Sequence, residues 1–430
     1  MMRPIFKRFL HDGSGNFGVM TALLMAPLLG TIGMAVDVGY ALEQRTQLYN
    51  AADAAAVGAL SEQSVGVIAA LGNGKDGEMA VAESDAKNLF TAQLPANLQA
   101  AVSNVQIAIT KTGATMNSKI SFSVDVPTTF LRILNKNSIR VTGTATAVYS
   151  AGSYMDFYML LDNTPSMGVG ATAADIATME RNTTDSCAFA CHDLSNANNY
   201  YNLAKKLGVS MRIDTVREAT QQLTATATSM MRYTDQYRMA VYTFGASATD
   251  AKLSMVADMS SNMTSIKNSA AAIDLMTIPN QNYNGDQQTD FDTALTSMKT
   301  IIAKGGSGIT KSDPEKVLFF VSDGLGDSNK PSGCTQKTTG TRCQEPIDVS
   351  FCQPLKDKGI KIAVLYTTYI PLPKNDWYNT WIKPFQSSIA TSMANCASPG
   401  LYFEVSPSDG IAKAMTALFQ KVVSTPRIDS

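Results

Sequence analysis

In Met155-Asp156-Phe157-Tyr158-Met159-Leu160-Leu161-Asp162-Asn163-Thr164-Pro165-Ser166 an apolar run, Phe157 to Leu161, breaks into a polar turn. Residues 155–161 read as a buried strand. Asp162, Thr164 and Ser166 follow at alternate positions where that strand ends. Three small oxygen-bearing side chains bunched at a strand end suit a hard divalent cation, which takes about six oxygens and keeps some as water. Alone the spacing decides nothing, because Asp162 with Ser166 fits a local Asx or capping motif equally well. The question is whether other oxygens stand at comparable strand ends.

Downstream, strands and helices alternate. Residues 212–230 form an amphipathic helix with Ile213, Val216, Ala219, Leu223 and Met230 on one stripe. Strands are expected at 238–244, 317–321, 361–366 and 401–405, and helices at 291–303 and 410–423. This predicts an α/β fold with a doubly wound, mostly parallel, Rossmann-type sheet covered on both faces. Such sheets bind ligands outside the carboxyl ends of their strands. Two segments then complete the first. The strand 317–321 runs into Ser322-Asp323-Gly324, and Thr289 stands in the loop before the helix that starts near Phe291. Each has a local explanation too: Thr289 with Asp292 fits a capping box, and Asp323-Gly324 fits a turn. Residues 168–211, polar and carrying Cys187 and Cys191, are too long for a structureless loop in a compact domain. A cysteine-stapled insertion with a short helix near 200–207 is the expectation.

Upstream, residues 17–36 carry no charge and suit one membrane crossing. Arg3, Lys7 and Arg8 precede them, which favours a cytoplasmic N-terminus and export of the rest. A cleaved signal peptide has a shorter apolar core and a small-x-small site, so a retained, single-pass anchor is expected. Helices follow at 47–60 and 78–98 around a Gly-rich break at 72–77, then strands at 105–110, 119–126 and 139–148. The chain thus divides into an anchor at 1–60, a small α+β region at 61–150 and an α/β domain at 151–425.

Of 430 residues, 35 are Lys or Arg and 36 Asp or Glu, a net charge of −1 that leaves no basic excess for nucleic acid. The six cysteines, Cys187, Cys191, Cys334, Cys343, Cys352 and Cys396, all lie on the side expected to be exported, in keeping with disulfides. Their pairing is open, since six cysteines allow fifteen connectivities. Cys187 and Cys191 before His192 are one residue too far apart for haem attachment, and a short-range disulfide is expected there. With two histidines in the chain, a His-rich metal centre is excluded.

Taken together, Asp162, Thr164 and Ser166, then Thr289, then Asp323 resemble the metal-ion-dependent adhesion site (MIDAS) of von Willebrand factor A domains, over about residues 154–423. Thr164 replaces the family's usual Ser and keeps the hydroxyl. The resemblance implies that these five residues hold Mg²⁺, Mn²⁺ or Ca²⁺ with one coordination position left for a partner's acidic group. It implies a binding device, not an enzyme, and no small-molecule substrate. The segment from Phe9-Leu10-His11-Asp12-Gly13-Ser14-Gly15-Asn16 through Gln47-Leu48-Tyr49-Asn50-Ala51-Ala52-Asp53 resembles TadE/TadG-like Flp pilus assembly proteins. Pilin-type processing places a Glu five residues into the apolar run, where this chain has Met20, so the resemblance implies a retained anchor. The combination is similar to TadG-like proteins. It implies an inner-membrane protein, its bulk periplasmic, that helps assemble or anchor a tight-adherence pilus through envelope partners. An adhesin for an external ligand shares the same site chemistry. A metal-dependent phosphohydrolase is less apt, because two-metal hydrolysis wants more carboxylates or histidines.

Overall fold

A computed structural model describes residues 16–61, 63–73, 75–99, 104–190, 192–249, 252–280, 288–406 and 410–424. The cationic flank at Arg3, Lys7 and Arg8 lies outside them. The fold is mixed α/β, and it divides into two compact units, Met1–Ala151 and Gly152–Ser430.

In the first unit one helix, α1 (Asn16–Gly58), runs for 43 residues through the apolar segment and well beyond it. Its first part is long and apolar enough to cross a membrane. Its second part is an Ala-rich face, with Leu48, Ala51, Ala52, Ala55 and Ala56 fully buried. Helix α2 (Val65–Asn73) and strand β1 (Gly77–Glu78) follow, then α3 (Ala80–Gln93). The single helix expected over 78–98 stops at Gln93 and resumes only as the turn Ala96–Gln99. Pro95 is the cause, since it disfavours helical backbone at the residue before it and lacks an N–H. Strands β2 (Asn104–Thr112), β3 (Thr115–Pro127) and β4 (Ser138–Ser150) join β1 in an antiparallel sheet of order β1-β2-β3-β4. The alternate residues Met116, Ile120, Phe122, Val124 and Val126 of β3 are buried, as period two requires for a sheet with one covered face. Gly143 lies where β4 meets α1: a Cβ there would stand 2.4 Å from Phe122 Cζ and 2.6 Å from Tyr49 Cζ.

The second unit is built on β5 (Met155–Leu161). It is followed by α4 (Ala173–Asn182), α5 (Tyr200–Leu207), α6 (Arg212–Met230), β6 (Tyr237–Thr243), β7 (Ser254–Ser260) and α7 (Met263–Ala270). Then come α8 (Phe291–Ile301), β8 (Glu315–Ser322), β9 (Ile360–Thr367), α9 (Gln386–Cys396), β10 (Tyr402–Val405) and α10 (Ile411–Ser424). The six strands form one sheet of order β10-β9-β8-β5-β6-β7. Four pairings are parallel, and the edge strand β7 runs antiparallel to β6. The sheet is therefore mixed, because β7 returns directly from β6 without a crossover helix. Alternate residues of β5 serve different cores. Phe157, Met159 and Leu161 pack with Val216, Leu223, Leu418 and Phe419 from α6 and α10, whereas Leu160 packs with Leu295, Met298, Ile389 and Met393 from α8 and α9.

The segment 168–211 is not structureless. Thr172 caps α4 through a reciprocal box with Asp175, and Asn199 caps α5. Four of the six cysteines pair as Cys334–Cys343 and Cys352–Cys396. Cys187 keeps a free thiol, and Cys191, its expected partner, lies outside the described residues.

Candidate functional site

The strand order reverses at β5, whose neighbours are β6 on one side and β8 on the other. Asp162 and Asp323 stand just past the carboxyl ends of β5 and β8, at the place where open α/β sheets present ligands. A backbone bond from Asp162 N–H to Val321 O, 2.9 Å, holds the two ends in step.

Around them the five expected residues come together. Asp162 Oδ1 accepts from Thr164 N–H at 3.0 Å and from the Thr164 hydroxyl at 2.7 Å, and Oδ2 accepts from the Ser322 hydroxyl at 2.5 Å. The Thr289 hydroxyl donates to Thr164 Oγ1 at 2.7 Å, and Ser166 Oγ lies 3.4 Å from the same atom. The Ser166 hydroxyl stands near enough to the Asp323 carboxylate to favour its charged form. Thr289 is placed by a reciprocal backbone pair with Asp327, at 2.7 and 2.9 Å. It does not cap α8. Asp290 does that, accepting from Thr293 N–H at 2.9 Å, so the Thr289 hydroxyl is released to the cluster. The turn reading of Asp323 holds alongside its place here, since Leu325 N–H donates to Asp323 Oδ1 at 3.2 Å and Gly324 adopts φ +70°.

Asp162, Thr164, Thr289 and Asp323 are buried, and Ser166 alone is partly exposed, so Ser166 forms the lip. Burial, and next the charge of Asp323, push the Asp162 carboxyl up to about 7. Burial raises Asp323 as well, against the pull of Arg212. Two carboxylates in one dry site favour any positive charge brought beside them.

Arg212 supplies one such charge, and nothing in the sequence singled it out. It is the first residue of α6, 1% exposed, and its Nη1 donates to Asp323 Oδ2 at 3.1 Å. Its guanidinium lies 5.3 Å from the Tyr369 ring, and its Nε has no hydrogen-bond partner among the described residues. A helix-initial Arg reads as a solvated surface residue until the tertiary fold is known. Burial pushes the Cys187 thiol up to about 11, the opposite of a reactive thiolate.

Residues 15–63 match the Tad family, described as "Putative Flp pilus-assembly TadE/G-like". The N-terminal segment is TadE/G-like. That TadE/G-like segment covers the apolar run and the Ala-rich face of α1. A search of curated proteins returns no match. Similar solved structures include the vWF domain of the type V pili tip protein Mfa5 from Porphyromonas gingivalis, at 11% identity over 65% of this chain and 99% of that one, TM-score 0.37. The pilus adhesin SpaC from Lactobacillus rhamnosus GG is 12% identical over 74% of this chain and 34% of its own, TM-score 0.36. Proximal thread matrix protein 1 of the mussel byssus is 13% identical over 64% and 46%, TM-score 0.33.

Proposed function

We propose that this chain is an inner-membrane-anchored envelope protein, its bulk periplasmic, that assists assembly or anchoring of a Flp (tight-adherence) pilus. In this reading residues 151–425 are a doubly wound von Willebrand factor A-like domain that docks partners through a divalent cation. One observation carries the reading: oxygens from three separated segments, at Asp162 to Ser166, Thr289 and Asp323, converge at the reversal point of the sheet of a chain whose N-terminal segment is TadE/G-like.

The donor set fits a hard cation. It offers three hydroxyls and two carboxylates and no sulfur or imidazole, which suits Mg²⁺, Mn²⁺ or Ca²⁺. Arg212 balances one of the two buried carboxylates and leaves a second negative charge for the metal to balance. Thr164, Ser166 and Thr289 would offer hydroxyls, and Asp162 and Asp323 carboxylates. When bound, the cation supplies a Lewis-acidic position that draws an acidic side chain of a partner. Ser166 at the lip is the protein's point of entry. The Thr164 hydroxyl donates to Asp162 as a nucleophile would to a base, but it is buried and already shared with Thr289 and Ser166. That arrangement favours binding over turnover.

Asp162→Ala in the full chain, held in detergent or nanodiscs, is expected to weaken Mg²⁺ or Mn²⁺ binding by at least about a hundredfold, roughly 2.7 kcal/mol. Titration calorimetry measures this, with circular dichroism confirming the fold. Capture of envelope partners should fall with the same variant and with chelator. Capture that survives both would sink the proposal.

A further inference from the structure

We propose that the turn between β3 and β4, residues 128–137, is a membrane-seated wedge that inserts Phe130, Ile133 and Leu134 into the lipid leaflet beside α1. The inference rests on the reading of residues 17–36 as a membrane anchor. A hairpin tip in water is ordinarily built from polar turn residues. This one carries Phe130-Leu131-Arg132-Ile133-Leu134 in a short 3-10 turn, with Ile133 83%, Leu134 59% and Phe130 44% exposed.

Two contacts fix where the tip stands. The Phe130 side chain lies against Gly33: a Cβ at Gly33 would sit 2.6 Å from Phe130 Cβ and Cγ, so the glycine makes room for it. Asp37, the first charged residue after the apolar run, is buried and accepts the backbone N–H groups of Thr129, Phe130 and Leu131 at 2.9, 2.8 and 2.7 Å. At the other end of the contact Gly143 meets Tyr49. Between Tyr49 and Gly33 the helix rises roughly 24 Å, so the hairpin runs along α1 toward the apolar segment and does not stand off from it. Gly33 lies three residues inside the end of that segment at Val36, or roughly 4.5 Å, close to the 5–10 Å depth at which interfacial elements seat their apolar residues.

Lipid is the occupant these features favour. The exposed apolar tip continues the surface of a helix segment that itself needs an apolar surrounding. Arg132, in the middle of the apolar residues, and Lys136, just after them, are both exposed, and long basic side chains reach lipid phosphates while their neighbours stay in the acyl region. Asp37 turns the loop's free N–H groups inward, which removes the polar cost of seating its backbone near the bilayer. The wedge fixes the rotation of α1 and holds the small sheet to the membrane surface.

The test uses the full chain reconstituted in phospholipid nanodiscs, with a benzophenone amino acid placed in turn at Ile133, at Leu134, at Leu24 within the apolar run, and at Val148, which is 69% exposed on β4. After irradiation, mass spectrometry reads phospholipid adducts. The expected result is adducts at 133 and 134 at least tenfold above those at 148. Yields at 133 and 134 no higher than at 148, with Leu24 labelled, would overturn the wedge and leave the anchor standing. Adducts to a second copy or another protein at 133 and 134 would overturn it in favour of a protein partner. Failure at Leu24 as well would remove the anchor reading on which the wedge rests.

Discussion

Arg212→Met is expected to lower the unfolding free energy of the second unit by about 3–5 kcal/mol in the presence of chelator, the range for removing one partner of a buried ion pair. The cause is what remains. Asp323 is wholly buried, and with the guanidinium gone its charge keeps, among the described residues, the Leu325 N–H and the nearby Ser166 hydroxyl. Methionine keeps much of the length and apolar stem of Arg212, so lost packing is a minor part. Urea denaturation in chelator measures the shift, and the pair is isolated by a cycle: adding Asp323→Asn should recover most of the loss. If the double variant is as unstable as the single one, the cost lies in packing against Tyr369 and not in charge. If the metal reading is right, Mg²⁺ should restore more stability to Arg212→Met than it adds to the wild type, because the ion then balances a charge that nothing else does.

Removing the Cys352–Cys396 bridge by replacing both residues with Ala should cost about 4 kcal/mol, from the loop-closure entropy of a cross-link spanning a separation of 44 residues. Both cysteines are fully buried, and the bridge ties the end of the 3-10 turn Val349–Phe351 to the last residue of α9. The Cys334–Cys343 bridge spans a separation of only 9 and lies near the hairpin Leu325–Asn329 and Arg342–Pro346, so its loss should cost less, about 2.7 kcal/mol. Melting with and without reductant, on each double-Ala variant, separates the two. Equal shifts would show that local strain, not loop length, sets their contributions.

Where the burial period was strong, the sequence was enough. The strand 155–161 and the helix 212–230 were legible to the residue, because the unbroken apolar run from Phe157 to Leu161 and a regular stripe leave no competing period. Edge strand β7 was not, since only Ala257 among its residues is buried and its alternation is broken by bulges. Helix α4 was missed because its polar residues hide a good cap at Thr172. At the site, the five oxygens were legible as types and positions along the chain. Which role each side chain plays was not, as Thr289 shows: Asp290 caps the helix one position later, and only the fold reveals that the threonine is free to reach Thr164. Arg212 was invisible for the same reason, since its partner lies 111 residues away. Disulfide pairing also waited on the fold.

The continuity of α1 has a mechanical consequence. Its 43 residues extend roughly 65 Å, and about 30 Å of that suffices to cross a bilayer. The remainder is the spine against which the small sheet is packed, so membrane segment and sheet share one rod with no slack between them. In the anchored reading proposed above, a pull on the sheet would therefore reach the bilayer as torque and tilt of that rod, where a flexible tether would have let the load dissipate in straightening it.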